Sequence, residues 1–161
     1  MTTTTTVPEP PITDDVRAVG ARFAHALAAK DFEAFYDLLH PDVNFVALTP
    51  GRVWPALGPA KGIDGVLRHW LDGITVERLS DVQVEQLSDC RRLGYRLHGR
   101  SGGRSFVFEQ QAYLQETGGQ ISWVRLLCSG LRPPILAGPE LSATSSDGNA
   151  EAIAGPGRAA V

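Results

Sequence analysis

A chain of 161 residues with 43% apolar composition suits one domain with a real core and leaves little for a second. The formal net charge of −3 gives no basic field for nucleic acid or an acidic membrane, and no apolar stretch nears the length of a membrane span. The opening threonine run and Val7-Pro8-Glu9-Pro10-Pro11 lack the basic and apolar parts of a secretory signal, and two cysteines without CxxC spacing, Cys90 and Cys128, fit a reduced cytoplasmic protein.

The folded part opens at Thr13, which can cap a helix whose first turn holds Asp14 and Asp15. Val16, Val19, Phe23 and Leu27 then recur at helical spacing as one apolar stripe. Lys30-Asp31 breaks the stripe, and Asp31 caps a second short helix whose buried side is Phe32, Phe35, Tyr36 and Leu39. His40-Pro41-Asp42 ends that helix, because proline restricts the residue before it and has no N–H to continue the bonding. Val43–Leu48 reads as a strand; Pro50-Gly51 and Gly58-Pro59 then punctuate a loop carrying Trp54 and Leu57. Ile63–Leu71 reads as a third helix with Ile63, Val66, Leu67 and Trp70 inward, stopped by Gly73.

Everything afterward has strand character: Leu79 to Val84, Arg92–Ser101, Arg104–Gln115 and Gln120–Cys128, with tight turns at Gly102-Gly103 and Gly118-Gly119. Helices first and an antiparallel meander after predict an α+β domain over residues 13–132, in which a curved sheet wraps helices and Gly94 and Gly99 supply curvature. Residues 1–12 and most of 133–161, rich in Thr, Pro, Gly, Ala and Ser, are expected to be disordered tails.

A ligand cavity needs apolar walls with a few placed polar groups, and two strands offer that mixture. On Arg104–Gln115, Phe106, Phe108, Gln110, Ala112 and Leu114 share one face; Val107, Glu109, Gln111, Tyr113 and Gln115 share the other. On Gln120–Cys128, Ile121, Trp123, Arg125 and Leu127 share a face. Glu109, Gln111 and Arg125 are the candidate catalytic residues. A glutamate buried among aromatics would have a raised pKa and act as acid or base, while a nearby arginine would hold it ionised. Tyr113, Trp54, Trp70, Trp123, Phe23 and Tyr36 are the candidate walls of a substrate pocket. Two readings of the Glu109 face stay open: a pocket wall, or an outer surface bonded to solvent or to a partner sheet.

Several chemistries have no signature in the chain. It has no Walker loop, no GxGxxG and no GxSxG elbow, and its glycine pairs lie between strands and do not open helices. Its four histidines lack metal-ligand spacing, so no metal site is expected. Basic residues do not interleave with aromatics as in a nucleic-acid surface.

In order along the chain, the run from Phe23 to Phe35, Leu39-His40-Pro41-Asp42-Val43, the helix start Gly62-Ile63-Asp64-Gly65-Val66, Phe108-Glu109-Gln110-Gln111-Ala112-Tyr113 and Gly119 to Arg125 resemble the NTF2-like superfamily, in particular its SnoaL-like branch. The resemblance spans roughly residues 14–133. It implies a cone of helices packed in a curved antiparallel or mixed sheet, an internal pocket, work without cofactors on small apolar substrates, and homodimers through the outer sheet face. It does not imply one reaction, since such folds host many. The steroid isomerase pattern carries over only in part. Its general-base aspartate would fall at Ala47 to Thr49, where no carboxylate stands; its protonated aspartate falls near Gln111; its helix-one tyrosine falls near Phe23.

Two functions from different classes follow. One is a cofactor-independent enzyme of isomerase, dehydratase or cyclase type on a small apolar oxygenated substrate. There Glu109 is the acid or base, Gln111 and Tyr113 hold a developing oxyanion, and Arg125 orients Glu109 or the substrate. The other is a non-catalytic module that binds a small hydrophobic molecule or a partner protein.

Overall fold

The computed structural model describes residues 14–134. The Thr13 cap and both expected tails, save Pro133 and Pro134, lie outside these residues. Helix α1 (Asp14–Ala29) buries Val19, Phe23 and Leu27 along one side, as the stripe requires. Asp31 caps α2 (Phe32–Leu38), its carboxylate accepting from the Ala34 amide at 3.0 Å. Phe35 and Leu38 are buried, and the Phe23 and Phe35 rings meet with centroids 4.7 Å apart. Side chains of this size each contribute about 1.5–3 kcal/mol when fully buried, so this pair anchors both helices.

Strand β1 (Leu39–Thr49) begins directly at the end of α2, four residues before the expected start. Pro41 is tolerated because the ladder slips between Leu39 and Asn44, so no amide is demanded of it. The expected loop around Trp54 is instead strand β2 (Arg52–Leu57), antiparallel to β1. Pro50-Gly51 is its hairpin turn, with Gly51 at φ 78°, and Pro55 fits because β2 is an edge strand. The third helix starts earlier than the apolar pattern indicates. Pro59 leads α3 (Pro59–Gly62), a π turn follows (Ile63–Leu67), and α4 (Arg68–Leu71) completes the rod. Ile63, Val66, Leu67 and Leu71 face the core.

Strands β3 (Ile74–Gln86), β4 (Arg91–Ser101), β5 (Arg104–Thr117) and β6 (Gln120–Cys128) form the expected antiparallel meander. The six-stranded order is β2-β1-β6-β5-β4-β3, and β1 runs parallel to β6, so the curved sheet is mixed. Helices α1 and α2 pack on its inner face, α1 against β3 and β4, α2 against β1 and β6. A Cβ on Gly99 would stand 2.0 Å from the Thr75 carbonyl oxygen, so only glycine lets β3 cross β4 there. Gly94 has open space and carries no such duty. Strand β3 bulges twice, and Asp81 takes φ 55° in the second bulge. Among the described residues no helix is long and apolar enough to cross a membrane.

Candidate functional site

Alternation on β4 and β5 fixes which side chains enter the cone. Leu93, Tyr95 and Leu97 point inward from β4, and Phe106, Phe108, Gln110, Ala112 and Leu114 from β5. Between this wall, the end of α1 and the α3–α4 rod lies a cavity of about 170 Å³. Leu27, Leu67, Trp70, Leu71, Ile74, Phe108 and Leu131 make it apolar; Thr49, Gln110, Cys128 and Gly130 complete the lining. No carboxylate and no histidine stands among these lining residues. The usual small-molecule pocket is about 300–1,000 Å³, so this one suits a single ring with short substituents.

Gln110 is the polar centre of the cavity. It is 2% exposed, and its Oε1 accepts from the hydroxyl of Tyr95, which stands directly across the ladder. Its side chain also reaches the Cys128 sulfur. Burial pushes the Tyr95 hydroxyl well above its ordinary pKa, and the nearby Cys128 adds to this. Burial likewise pushes the Cys128 thiol up, against the opposing hydrogen bonds from the Gly130 amide and Gln110. Both groups therefore stay protonated at neutral pH, and the cavity offers hydrogen bonds in place of proton transfer.

Glu109, Gln111 and Tyr113 lie on the opposite, outer face of β5, away from this internal cavity. Glu109 is exposed and accepts from Arg96 Nε at 2.9 Å. Arg125 does not reach it: its guanidinium donates to Asn44 Oδ1 at 2.9 Å and lies over the Trp123 ring at 4.3 Å. The expected Ile121–Trp123 face is also corrected. The ladder slips between Gln115 and Glu116, so Ile121 and Val124 are both buried and Trp123 faces out. Of the expected walls, Trp70 alone lines the cavity. Trp54 stacks edge-on against Trp70 with centroids 6.2 Å apart and donates its indole N–H to Thr49 Oγ1 at 2.8 Å, one layer behind the lining. Phe23 is wholly buried in the core, and Tyr36 is half-buried on α2; neither lines the cavity. Gln110 was the residue to single out from sequence. It is the lone polar member of an otherwise apolar period-two set, and a buried amide there demands a partner.

The outer face divides in two. On β2, β1 and β6 it carries an apolar row beside the Arg125–Asn44 pair: Val53, Leu48 and Leu127 stand across the strands and are 58%, 44% and 43% exposed. On β3, β4 and β5 it is charged and hydrogen-bonded. Arg96 joins Asp81 as well as Glu109, and His98 Nε2 meets Arg78 and Ser80.

No family model and no curated protein matches the chain. Solved structures do. An LEH-like epoxide hydrolase from M. tuberculosis aligns at TM-score 0.56 and 17% identity, over 74% of this chain and 86% of its own. A hypothetical protein with ketosteroid isomerase-like fold from Catenulispora acidiphila, solved with trimethylamine, aligns at 0.56 and 16%, over 69% and 85%. An NTF2-like protein from Burkholderia thailandensis aligns at 0.56 and 13%, over 70% and 89%. At such identities the likeness is one of architecture, and helices wrapped by a curved six-stranded mixed sheet give this chain the NTF2-like fold, in the form shared with SnoaL-like proteins.

Proposed function

We propose that this chain binds a small apolar molecule bearing one hydrogen-bond-accepting oxygen in the cavity beneath the α3–α4 rod. The observation that carries this reading is the cavity lining: apolar walls, one oriented amide and no ionised group. The Tyr95 hydroxyl occupies Gln110 Oε1 and the Cys128 sulfur takes one amide N–H, which leaves the second N–H to meet a ligand carbonyl or ether. Any chemistry in the cavity rests on Gln110 polarising that oxygen, since Glu109 lies outside the cone. The partner reading is a second copy of the chain, favoured by the exposed row Val53–Leu48–Leu127 on the β2-β1-β6 half of the outer face.

Cyclohexanone and methylcyclohexane serve as paired probes, followed through the methyl signals of Leu27, Leu71 and Ile74. Saturable shifts with cyclohexanone, weakened about tenfold by Gln110→Leu while methylcyclohexane is little affected, are expected. Leu27→Phe fills the space and abolishes both. Cyclohexanone shifts that never saturate, or that survive Leu27→Phe unchanged, would rule the cavity out as the binding site.

A further inference from the structure

We propose that the groove on the charged half of the outer sheet face is a second binding site, for a small carboxylate with an apolar body. The groove encloses about 900 Å³ and is open to solvent. Three arginines line it, Arg78, Arg96 and Arg132, against two carboxylates, Asp81 and Glu109. Both carboxylates are engaged by the same cation: Arg96 Nε meets Glu109 at 2.9 Å and its Nη1 meets Asp81 at 3.4 Å. That leaves Arg78 and Arg132. Among the described residues neither forms an ion pair. Arg132 Nε donates to the Ser129 carbonyl at 3.0 Å, and Arg78 Nη2 donates to His98 Nε2 at 3.0 Å.

The Arg78–His98 contact is informative. A guanidinium carries only donors, so the Arg78 contact is a hydrogen bond in the neutral tautomer whose Nε2 is bare. Burial and the Arg78 charge together pull the His98 pKa down, which agrees with that tautomer. A cation resting on a neutral imidazole has most of its five donors unspent. An incoming carboxylate meets those donors bidentately, and Arg132 stands on the same groove. The flanks decide the rest of the ligand: Val107, Leu127, Pro133 and Pro134 offer apolar contact and no further cation. Inorganic phosphate has nothing to place there. The groove is also built on a held backbone. Asp81 is fixed at φ 55° in the β3 bulge, with Ser80 Oγ 2.9 Å from both Asp81 Oδ2 and His98 Nε2. Segment 129–132 is tied to β5 by paired amides between Val107 and Arg132, each at 2.9 Å.

The groups around the His98 ring are Arg78, Ser80 and Asp81 from β3, Arg96 from its own strand, and Val107 and Glu109 from β5. Arg132 approaches from the segment after β6. An anion on Arg78 offsets the charge that disfavours imidazolium, so binding raises the His98 pKa. The test is a titration of the full chain with benzoate at neutral pH, read on the imidazole carbon-bound protons of His98. Saturable shifts and a higher His98 pKa at saturation are expected, with benzoate affinity falling about tenfold in Arg78→Gln and in Arg132→Gln. Benzamide, the same shape without charge, should leave the signals in place. Three results overturn the proposal: no saturation with benzoate, equal shifts with benzamide, or inorganic phosphate binding as tightly as benzoate. Both variants replace exposed side chains, and an unchanged circular dichroism spectrum with unchanged benzoate affinity in both likewise overturns it. His25, exposed on α1, provides the internal reference that must not move.

Discussion

The pairing of Tyr95 with Gln110 sets the chemistry of the cone interior, and it is separable by mutation. Tyr95→Phe leaves Gln110 Oε1 buried without a donor, and Gln110→Leu strands the Tyr95 hydroxyl; each is expected to lose about 1–3 kcal/mol. The double replacement removes both needs together, so its loss should be well below the sum. Urea denaturation of the four proteins measures this, and strictly additive losses would show that the two groups do not depend on each other. The same residue shows where sequence reading stopped short. Gln110 and Gln111 are adjacent and chemically identical, and a one-residue shift exchanges the core face for the solvent face. The alternation Phe106, Phe108, Ala112, Leu114 contains the answer, because four apolar residues on one side outweigh the aromatic Tyr113 on the other. The charge on Glu109 drew attention to the outer face; its partner Arg96 lies on the neighbouring strand, and cross-strand pairing depends on a register that turns determine.

Among the elements, β4, β5 and β6 were legible to within two residues at each end, whereas β3 starts at Ile74, five residues before the expected Leu79. Gly102-Gly103 and Gly118-Gly119 supply the positive φ angles that two tight turns require, and these turns define the strands between them. Strand β2 was not legible. Its proline and its flanking Pro-Gly pairs are loop signals, and only a position at the edge of the sheet makes Pro55 acceptable. The start of the α3–α4 rod was hidden for a related reason: Pro59 reads as a breaker by itself but is preorganised for a first helical turn. The bulges of β3 and the slip between Gln115 and Glu116 leave no periodic trace, since each inserts a residue and resets the alternation. Gly99 and Gly94 looked equivalent in sequence and differ in the fold. Gly99→Ala drives a methyl into the Thr75 carbonyl and should lose at least about 1–3 kcal/mol, whereas Gly94→Ala should stay within about 1 kcal/mol of the parent. Thermal melts of the two variants decide this, and equal melting temperatures would contradict the close approach of β3 to β4.

On the scale of the whole molecule, the sheet has two outer halves with different chemistry. Val53, Leu48 and Leu127 in one row, with Leu57 62% exposed nearby, form an apolar surface of the kind that partners cover. The expected outcome by light scattering at micromolar concentration is a dimer of the full chain, converted to monomer by the pair Leu48→Lys and Val53→Lys. A monomer in the parent protein, or a dimer indifferent to the pair, would exclude this face as the contact. Leu127 stands both in this row and on the flank of the charged groove, so the two surfaces adjoin there. A last consequence concerns how the chain is made. The parallel contact of β1 with β6 joins positions such as Asn44 and Arg125, 81 residues apart. During synthesis the β1–β2 hairpin emerges early, yet its inner neighbour in the sheet, β6, is the last of the strands among the described residues to leave the ribosome. One edge of β1 therefore waits unpaired until translation of the domain is nearly finished. Closure of that long loop places this fold among the slower, high-contact-order topologies, and makes the stretch between β1 and β6 the period of greatest exposure to misassembly.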